Sequence, residues 1–477
     1  MFFHAIIYAV AIATNNVLLS LRGAKRRGNL LNLKIMKNFF DDNLLLYSDS
    51  AVKIYNQIKD LPIIDYHCHL DQYKIQSDAK FGDIGELWLA GDHYKWRAMR
   101  MCGVDEYYVT GDASFHDKFI KYAEIFPQLV GNPLYYWTQM ELKRLFNIHI
   151  PLNAENAEKI YYLANKALKS MTVLRLLYYF NVEYVATTDA PCDDLLAHGM
   201  HNKTKVAPTF RPDKVLTFDK AEMTLLAQTV GTKLDTLDDF VSALENRLAY
   251  FVEHGCKIAD HGFATFPSSY PTKEQAEKLF ENRNNLEENQ KQSLFGYLLV
   301  QLAKLYKKYN VLMQLHFGVT RNVNPKMFAR CGVDAGFDVI ASPTQIEDVI
   351  LFFQQLSDEQ RPQTVLYTLN DANLKSLACV TGAFKNVKMG PAWWFNDTVQ
   401  GIRHNLKTIA EYSCLGTNFG MLTDSRSFSS YVRFDFFRRI LANYLGDLVE
   451  KGEYDLDSAI TVAKNIAYYN IKNTLGV

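Results

Sequence analysis

The sequence predicts an α/β fold, a (β/α)8 barrel of the TIM type. Short apolar runs that end in polar or charged residues recur along the chain, and stretches of helical periodicity separate them. The polar residues best suited to chemistry fall at the carboxyl ends of those runs, where barrels of this class place their sites. Eight runs read as buried parallel strands: Leu61–His67, Val182–Thr188, Val206–Arg211, Cys256–Asp260, Val311–His316, Thr364–Leu369, Asn386–Gly390 and Phe419–Asp424.

The first run leads into Asp65-Tyr66-His67-Cys68-His69-Leu70. Side chains alternate along a strand, so His67 and His69 face the same way, about 6–7 Å apart. Two imidazoles on one face can share a divalent metal. The second to seventh runs end in Thr188-Asp189, Arg211, Asp260-His261, His316, Asn370-Asp371 and, past Gly390, Trp393-Trp394. The eighth ends in Asp424, with Arg426 two residues on. Stability alone does not call for so many polar groups at strand ends.

Helices are expected over Asp235–His254, Glu274–Glu288, Gln292–Tyr309, Ile346–Leu356, Gly401–Tyr412, Tyr431–Lys451 and Asp457–Thr474. The first two strands are about 110 residues apart, far beyond an ordinary βα unit of ~30 residues. Helical patterns such as Lys118–Phe126 and Ala154–Phe180 fill the gap. Residues 71–181 are therefore read as a helical insertion over the barrel mouth, where specificity commonly resides.

Of the 477 residues, 48% are hydrophobic, enough for a large core. Lys+Arg and Asp+Glu both number 52, which disfavours nucleic-acid and membrane-surface roles. The seven cysteines show no CxxC spacing and read as reduced thiols of a cytoplasmic protein. Residues 1–35 form an N-terminal extension, apolar to Leu21 and then basic (Arg22, Lys25, Arg26, Arg27). It is read first as a start assigned too early, with Met36-Lys37-Asn38-Phe39-Phe40 as the natural beginning. A signal-anchor is the second reading. Residues 36–477 then form the barrel with its insertion.

His67, His69 and Asp424 are the metal candidates, because the first and last strands are neighbours once a barrel closes. His316 is a further ligand or a substrate contact. The block Gly91–Arg100, with His93, Tyr94 and Trp96 woven among basic residues, suits a polar substrate pocket. Arg211, Arg321 and Arg426 point to an anionic ligand, since guanidinium forks bind carboxylates bidentately. No Gly-rich phosphate loop follows a strand, so no nucleotide cofactor is expected.

These segments resemble the uronate isomerases, a branch of the amidohydrolase superfamily. The resemblance rests on Met36–Phe40, Asp65–Leu70, Gly91–Arg100, Gly131–Tyr135 and Thr187–Asp189. It continues through Ala259–Gly262, Gly390–Phe395 and Leu422–Arg426. It covers residues 36–477 almost end to end and supports Met36 as the start. It implies a distorted (β/α)8 barrel and a mononuclear divalent site, usually zinc; a homo-oligomer is expected. It also implies interconversion of D-glucuronate with D-fructuronate and of D-galacturonate with D-tagaturonate. Carried over, His67, His69 and Asp424 hold the metal, and His93, Tyr94, Arg211, Trp394 and Arg426 touch the substrate. One departure stands out: Thr187-Thr188-Asp189-Ala190 has Ala where a second Asp is expected.

The chemistry expected is a cis-enediolate route. Asp424, or a group it activates, would act as base, Tyr94 and His93 would move oxygen protons, Arg426 would stabilise charge and Arg211 would hold the C6 carboxylate. An enediol route does not strictly require the metal. The rival is a metal-dependent hydrolase acting on a carboxylate-bearing substrate. Its binuclear forms usually add a bridging Lys or Glu and two more histidines; here His261 and His316 are the further histidines that follow candidate strands, and Asp260 sits where a bridging group might. A non-catalytic sugar-acid binder would need the arginines but not the base and metal ligands together.

Overall fold

The buried, β-branched runs of the sequence form strands, and the amphipathic stretches between them pack outside as helices. In the computed structural model, which describes residues 39–477, the strands are β1 (Ile63–Asp65), β2 (Val182–Ala186), β3 (Gly199–His201), β4 (Thr204–Ala207), β5 (Thr209–Phe210), β6 (Ile258–Phe263), β7 (Leu312–Phe317), β8 (Val319–Thr320), β9 (Val339–Ile340), β10 (Thr364–Thr368) and β11 (Val387–Met389). The N-terminal extension, residues 1–35, lies outside the described residues. Residues 39–44 are turns and a bend, and among the described residues the helices and strands lie within 45–477. No helix of the described residues is long and apolar enough to cross a membrane.

One parallel run of pairs is β1–β2–β4, with β3 antiparallel on β4. The other is β5–β6–β7–β10–β11, all parallel. Pro208 divides the third expected strand into β4 and β5, since proline has no N–H for the ladder. The chain bridges the break: Asp189 N donates to Thr209 O at 3.1 Å, and Arg211 N donates to Asp189 O at 3.0 Å.

The eighth expected strand, Phe419–Asp424, is not a regular strand. Gly420 (φ 67°) and Asp424 (φ 44°) both take left-handed backbone, which breaks an extended ladder. The segment still closes the barrel. Asp424 N donates to His67 O at 3.1 Å, and His69 N to Ser425 O at 3.0 Å. The buried carboxylate of Asp65 accepts from Thr423 N (2.9 Å) and Thr423 Oγ1 (2.6 Å). Inside lie Ile64, Tyr66, Tyr184, Ile258, Val365 and Tyr367, all buried.

Seven α-helices, from Gln72–Gln76 to Val173–Tyr179, fill the interval between β1 and β2. The expected helix over Ala154–Phe180 is two, Ala157–Leu168 and Val173–Tyr179, because Thr172 caps a new start with its hydroxyl on Arg175 N. Glu274–Glu288 likewise divides. Lys273–Glu281 ends at Asn282, and the next helix, Glu288–Lys308, begins with a capping box between Glu287 and Gln290. All seven cysteines are free.

Replacing Thr423 by Val removes one donor from the buried Asp65 carboxylate. A loss of roughly 1–3 kcal/mol is expected for a group left unsatisfied in this way. Urea unfolding followed by circular dichroism should show a lower midpoint, with Thr423→Ser close to the parent protein.

Candidate active site

The site forms where the end of β1 meets the irregular eighth segment. His67 Nε2 lies 3.2 Å from Asp424 Oδ1, and His69 Nε2 lies 3.0 Å from the same oxygen. The other carboxylate oxygen, Oδ2, accepts from Trp393 Nε1 at 2.7 Å. Burial would raise the pKa of Asp424, but the two imidazoles hold its carboxyl well below the usual carboxylate range. Asp424 is ionised at neutral pH.

Two imidazole nitrogens and one carboxylate oxygen converging on a point form a donor set that suits a divalent metal. These are the three residues expected from the first and last strands. A second group, His67, Asp260 and His316, also lies within ligand reach, with His67 shared. His67 Nδ1 and His316 Nε2 are buried there and make no hydrogen bond among the described residues. However, Arg211 reaches Asp260 Oδ2 at 3.0 Å, so a fixed cation already neutralises that carboxylate.

Asp260 is a hub. It holds His316 Nδ1 at 2.6 Å and faces His67 Nδ1 at 4.0 Å, in addition to Arg211. Burial works against its charge, yet Arg211, His316 and His67 keep the carboxyl well below its ordinary value. Arg211 also pairs with Asp213 at 3.0 Å. His316 stacks on Tyr367, with ring centroids 4.1 Å apart. Tyr367 lies so close to Gly390 that a Cβ there would meet its ring at 2.3 Å, which is why glycine opens the Gly390-Pro391-Ala392-Trp393-Trp394 run.

The insertion supplies the other wall. Asp92 caps the helix His93–Met101, accepting from Tyr94 N (3.0 Å), Lys95 N (3.2 Å) and Lys95 Nζ (2.6 Å). That cap fixes His93 and Tyr94 in the first turn. Both line a cavity of about 290 Å³ together with His69, Lys80, Asp424 and Arg426. Such a volume is near the lower bound of small-molecule sites, about 300 Å³. Burial lowers the pKa of His93, so the ring is neutral at pH 7, and burial raises that of Tyr94, so the phenol keeps its proton.

The structure brings together His67, His69, His93, Tyr94, Asp424 and Arg426. Arg426 Nη2 is held by Asp334 at 2.6 Å. Arg321 reaches Asp334 (3.5 Å) and Asp338 (3.4 Å) and lies over the Trp394 ring at 5.4 Å. Trp394 packs edge-on against His93, with centroids 5.6 Å apart, and its φ of 50° is unusual for so bulky a residue. Of the tryptophan pair it is Trp393, singled out above only as a strand-end neighbour, that bonds the Asp424 carboxylate. Asp189 is buried and accepts from Thr187 Oγ1 at 2.8 Å and Thr209 N at 3.2 Å, tying β2 to β5.

A family model described as glucuronate isomerase matches residues 36–475. The chain belongs to this family. It is 40% identical over 466 residues to the uronate isomerase of Caldanaerobacter subterraneus subsp. tengcongensis, covering 93% of this chain and 100% of that protein. The crystal structure of uronate isomerase from Thermotoga maritima superposes with a TM-score of 0.89 at 34% identity, over 92% of this chain and 100% of that one. Glucuronate isomerase from Caulobacter crescentus gives a TM-score of 0.87 at 25% identity, over 91% and 96%. The family match leaves out the first 35 residues and supports the (β/α)8 reading of the rest.

Metal analysis of the purified family member should find about one divalent ion per chain, as a mononuclear two-histidine, one-carboxylate site requires. His69→Gln is expected to lose most of that ion. His316→Asn is expected to keep it, since His316 faces the neutralised Asp260 and not Asp424.

Proposed function

We propose that the chain is an aldose–ketose isomerase of uronic acids. It interconverts D-glucuronate with D-fructuronate and D-galacturonate with D-tagaturonate. The observation that carries this reading is the convergence, in a cavity of monosaccharide size, of an ionised Asp424 with the protonated Tyr94, the neutral His93 and the cationic Arg426.

Asp424 is the proposed base. Its carboxylate takes the proton from C2 while Tyr94 or His93 protonates the C1 carbonyl oxygen. The cis-enediolate then receives a proton at C1 from the Asp424 carboxyl, which exchanges in part with solvent, while the group that protonated O1 takes back the O2 hydroxyl proton as O2 becomes the ketose carbonyl oxygen. Arg426, aimed by Asp334, stabilises the charge that develops on the enediolate oxygens. Arg211 is the proposed contact for the C6 carboxylate. Asp213 and Asp260 already neutralise it, so the contact supplies orientation more than net charge. Lys74 and Lys80 in the cavity wall add positive potential. Trp394, Arg321 and His316 complete the proposed substrate surround.

A divalent metal on His67, His69 and Asp424, assigned here as zinc, would supply a Lewis acid that orients substrate oxygens. The same proposal takes the protein as cytoplasmic and homo-oligomeric, with residues 36–477 as one barrel and 71–181 as its insertion. Binuclear hydrolase chemistry is disfavoured because Arg211 stands where a second ion would need the free charge of Asp260.

A proton NMR time course with D-glucuronate in D2O tests the reaction. Ketose signals with deuterium at the exchangeable carbon are expected, and no change with either uronate in metal-loaded protein would overturn the reading. Asp424→Asn should lower turnover by about 10²–10⁴-fold, as loss of a general base does. Near-normal turnover in that variant would sink the assignment of the base. Arg211→Met should raise KM by on the order of 10-fold or more, as loss of a charge-assisted hydrogen bond does, with a smaller effect on kcat.

A further inference from the structure

Arg433 stands out among buried groups that the proposed chemistry does not use. It is only 2% exposed, on the second residue of the helix Val432–Glu450. Its guanidinium carbon lies 4.0 Å from the ring of Trp137 and 5.1 Å from that of Tyr94. Its Nη1 donates to the carbonyl oxygen of Thr423 at 3.0 Å, one residue before Asp424. With the two bonds from Thr423 to Asp65, every polar group of Thr423 is fixed.

The rings around Arg433 belong to the insertion. Trp137 lies on Pro133–Phe146 and meets Tyr94 edge-on, with centroids 6.1 Å apart. One planar cation therefore joins the helix that carries Tyr94 to the segment that carries Asp424. Its charge draws down the pKa values of the buried carboxyl groups of Asp92, Glu141 and Asp397, against the opposing effect of burial. A flat guanidinium can stack on aromatic faces while donating in its own plane, and a lysine ammonium cannot do both.

We propose that Arg433 is a positioning residue that sets the distance and angle between the Tyr94 phenol and the Asp424 carboxylate. This rests on the reading of Tyr94 as a proton donor. Arg433 acts from behind the ring and the backbone, and it is not a catalytic residue. Its loss should appear in kcat, because the geometry it sets matters only while protons move, and should spare KM.

The test is a double-mutant cycle on the full chain, loaded with metal, with Tyr94→Phe, Arg433→Met and the pair, following D-glucuronate isomerisation. Arg433→Met alone is expected to lower kcat on the order of 10- to 100-fold with KM changed less than about threefold. In the Tyr94→Phe background the same change should cost less than about threefold, because groups that act as a unit are not additive. Arg433→Lys, run through the same cycle, keeps the charge without the stacking and should recover only part of kcat. It also supplies the result if Arg433→Met does not fold. Equal losses in both backgrounds, or full rescue by lysine, would overturn the proposal and leave Tyr94 as the donor. A Tyr94→Phe protein with parental kcat would overturn the Tyr94 reading and the proposal with it.

Discussion

The barrel closes where residues 418–425 dock on the end of β1, and that seam places the candidate metal-binding atoms. Main-chain bonds from Asp424 to His67 and from His69 to Ser425 set the register. The carboxylate of Asp65 grips Thr423 through both its N–H and its hydroxyl. A shift of one residue would carry Asp424 away from His67 and His69 and dissolve the donor set. Burial and its two bonds from Thr423 leave Asp65 with a pKa of about 7, so the clamp holds its charge only loosely.

Charge inside this barrel follows function more than stability. Asp260, Arg211, Asp213, His316 and His67 form a network whose desolvation is costly, and apolar replacements of similar volume would often serve stability as well. The network instead holds the Arg211 guanidinium between Asp213 and Asp260 and orients His316 beside His67. The same logic applies across the cavity, where Asp334 aims Arg426 and Asp92 locks the helix start that carries His93 and Tyr94. Each group proposed to react is thus backed by a partner that the proposal leaves out of the chemistry. Such support is what keeps a site preorganised.

Much of the architecture was legible in apolar runs, because a parallel strand buried on both faces reads as a continuous hydrophobic stretch. Seven of the eight runs are strands wholly or in part, and the eighth takes its expected place without strand geometry. The exceptions have local causes. Pro208 interrupts the third run, Gly420 and Asp424 turn the eighth into left-handed backbone, Thr172 caps a new helix and Asn282 ends one where periodicity alone would continue. The group His67, His69 and Asp424 was legible because closure of a barrel brings first and last strands together. The pairing of Arg211 with Asp260, of Arg426 with Asp334, and of Arg433 with Tyr94 was not. Those contacts join elements far apart in the chain, and spacing carries no signal for them.

Backbone strain marks the same seam. Asp424 and Trp394 hold φ values of 44° and 50°, which cost a non-glycine residue of order 1–3 kcal/mol each and persist only where the surroundings over-determine them. For Asp424 those surroundings are the two histidines, the indole of Trp393 and the His67 carbonyl. For Trp394 they are His93, Phe395 and Arg321. A relaxed strand would alternate its side chains and send Asp424 and its neighbours to opposite faces. The left-handed turn breaks that alternation. It lets the carboxylate face the histidines while the preceding carbonyl faces Arg433, so the irregularity of the eighth segment is the means by which the candidate metal ligands and the proposed proton donor come to share one cavity.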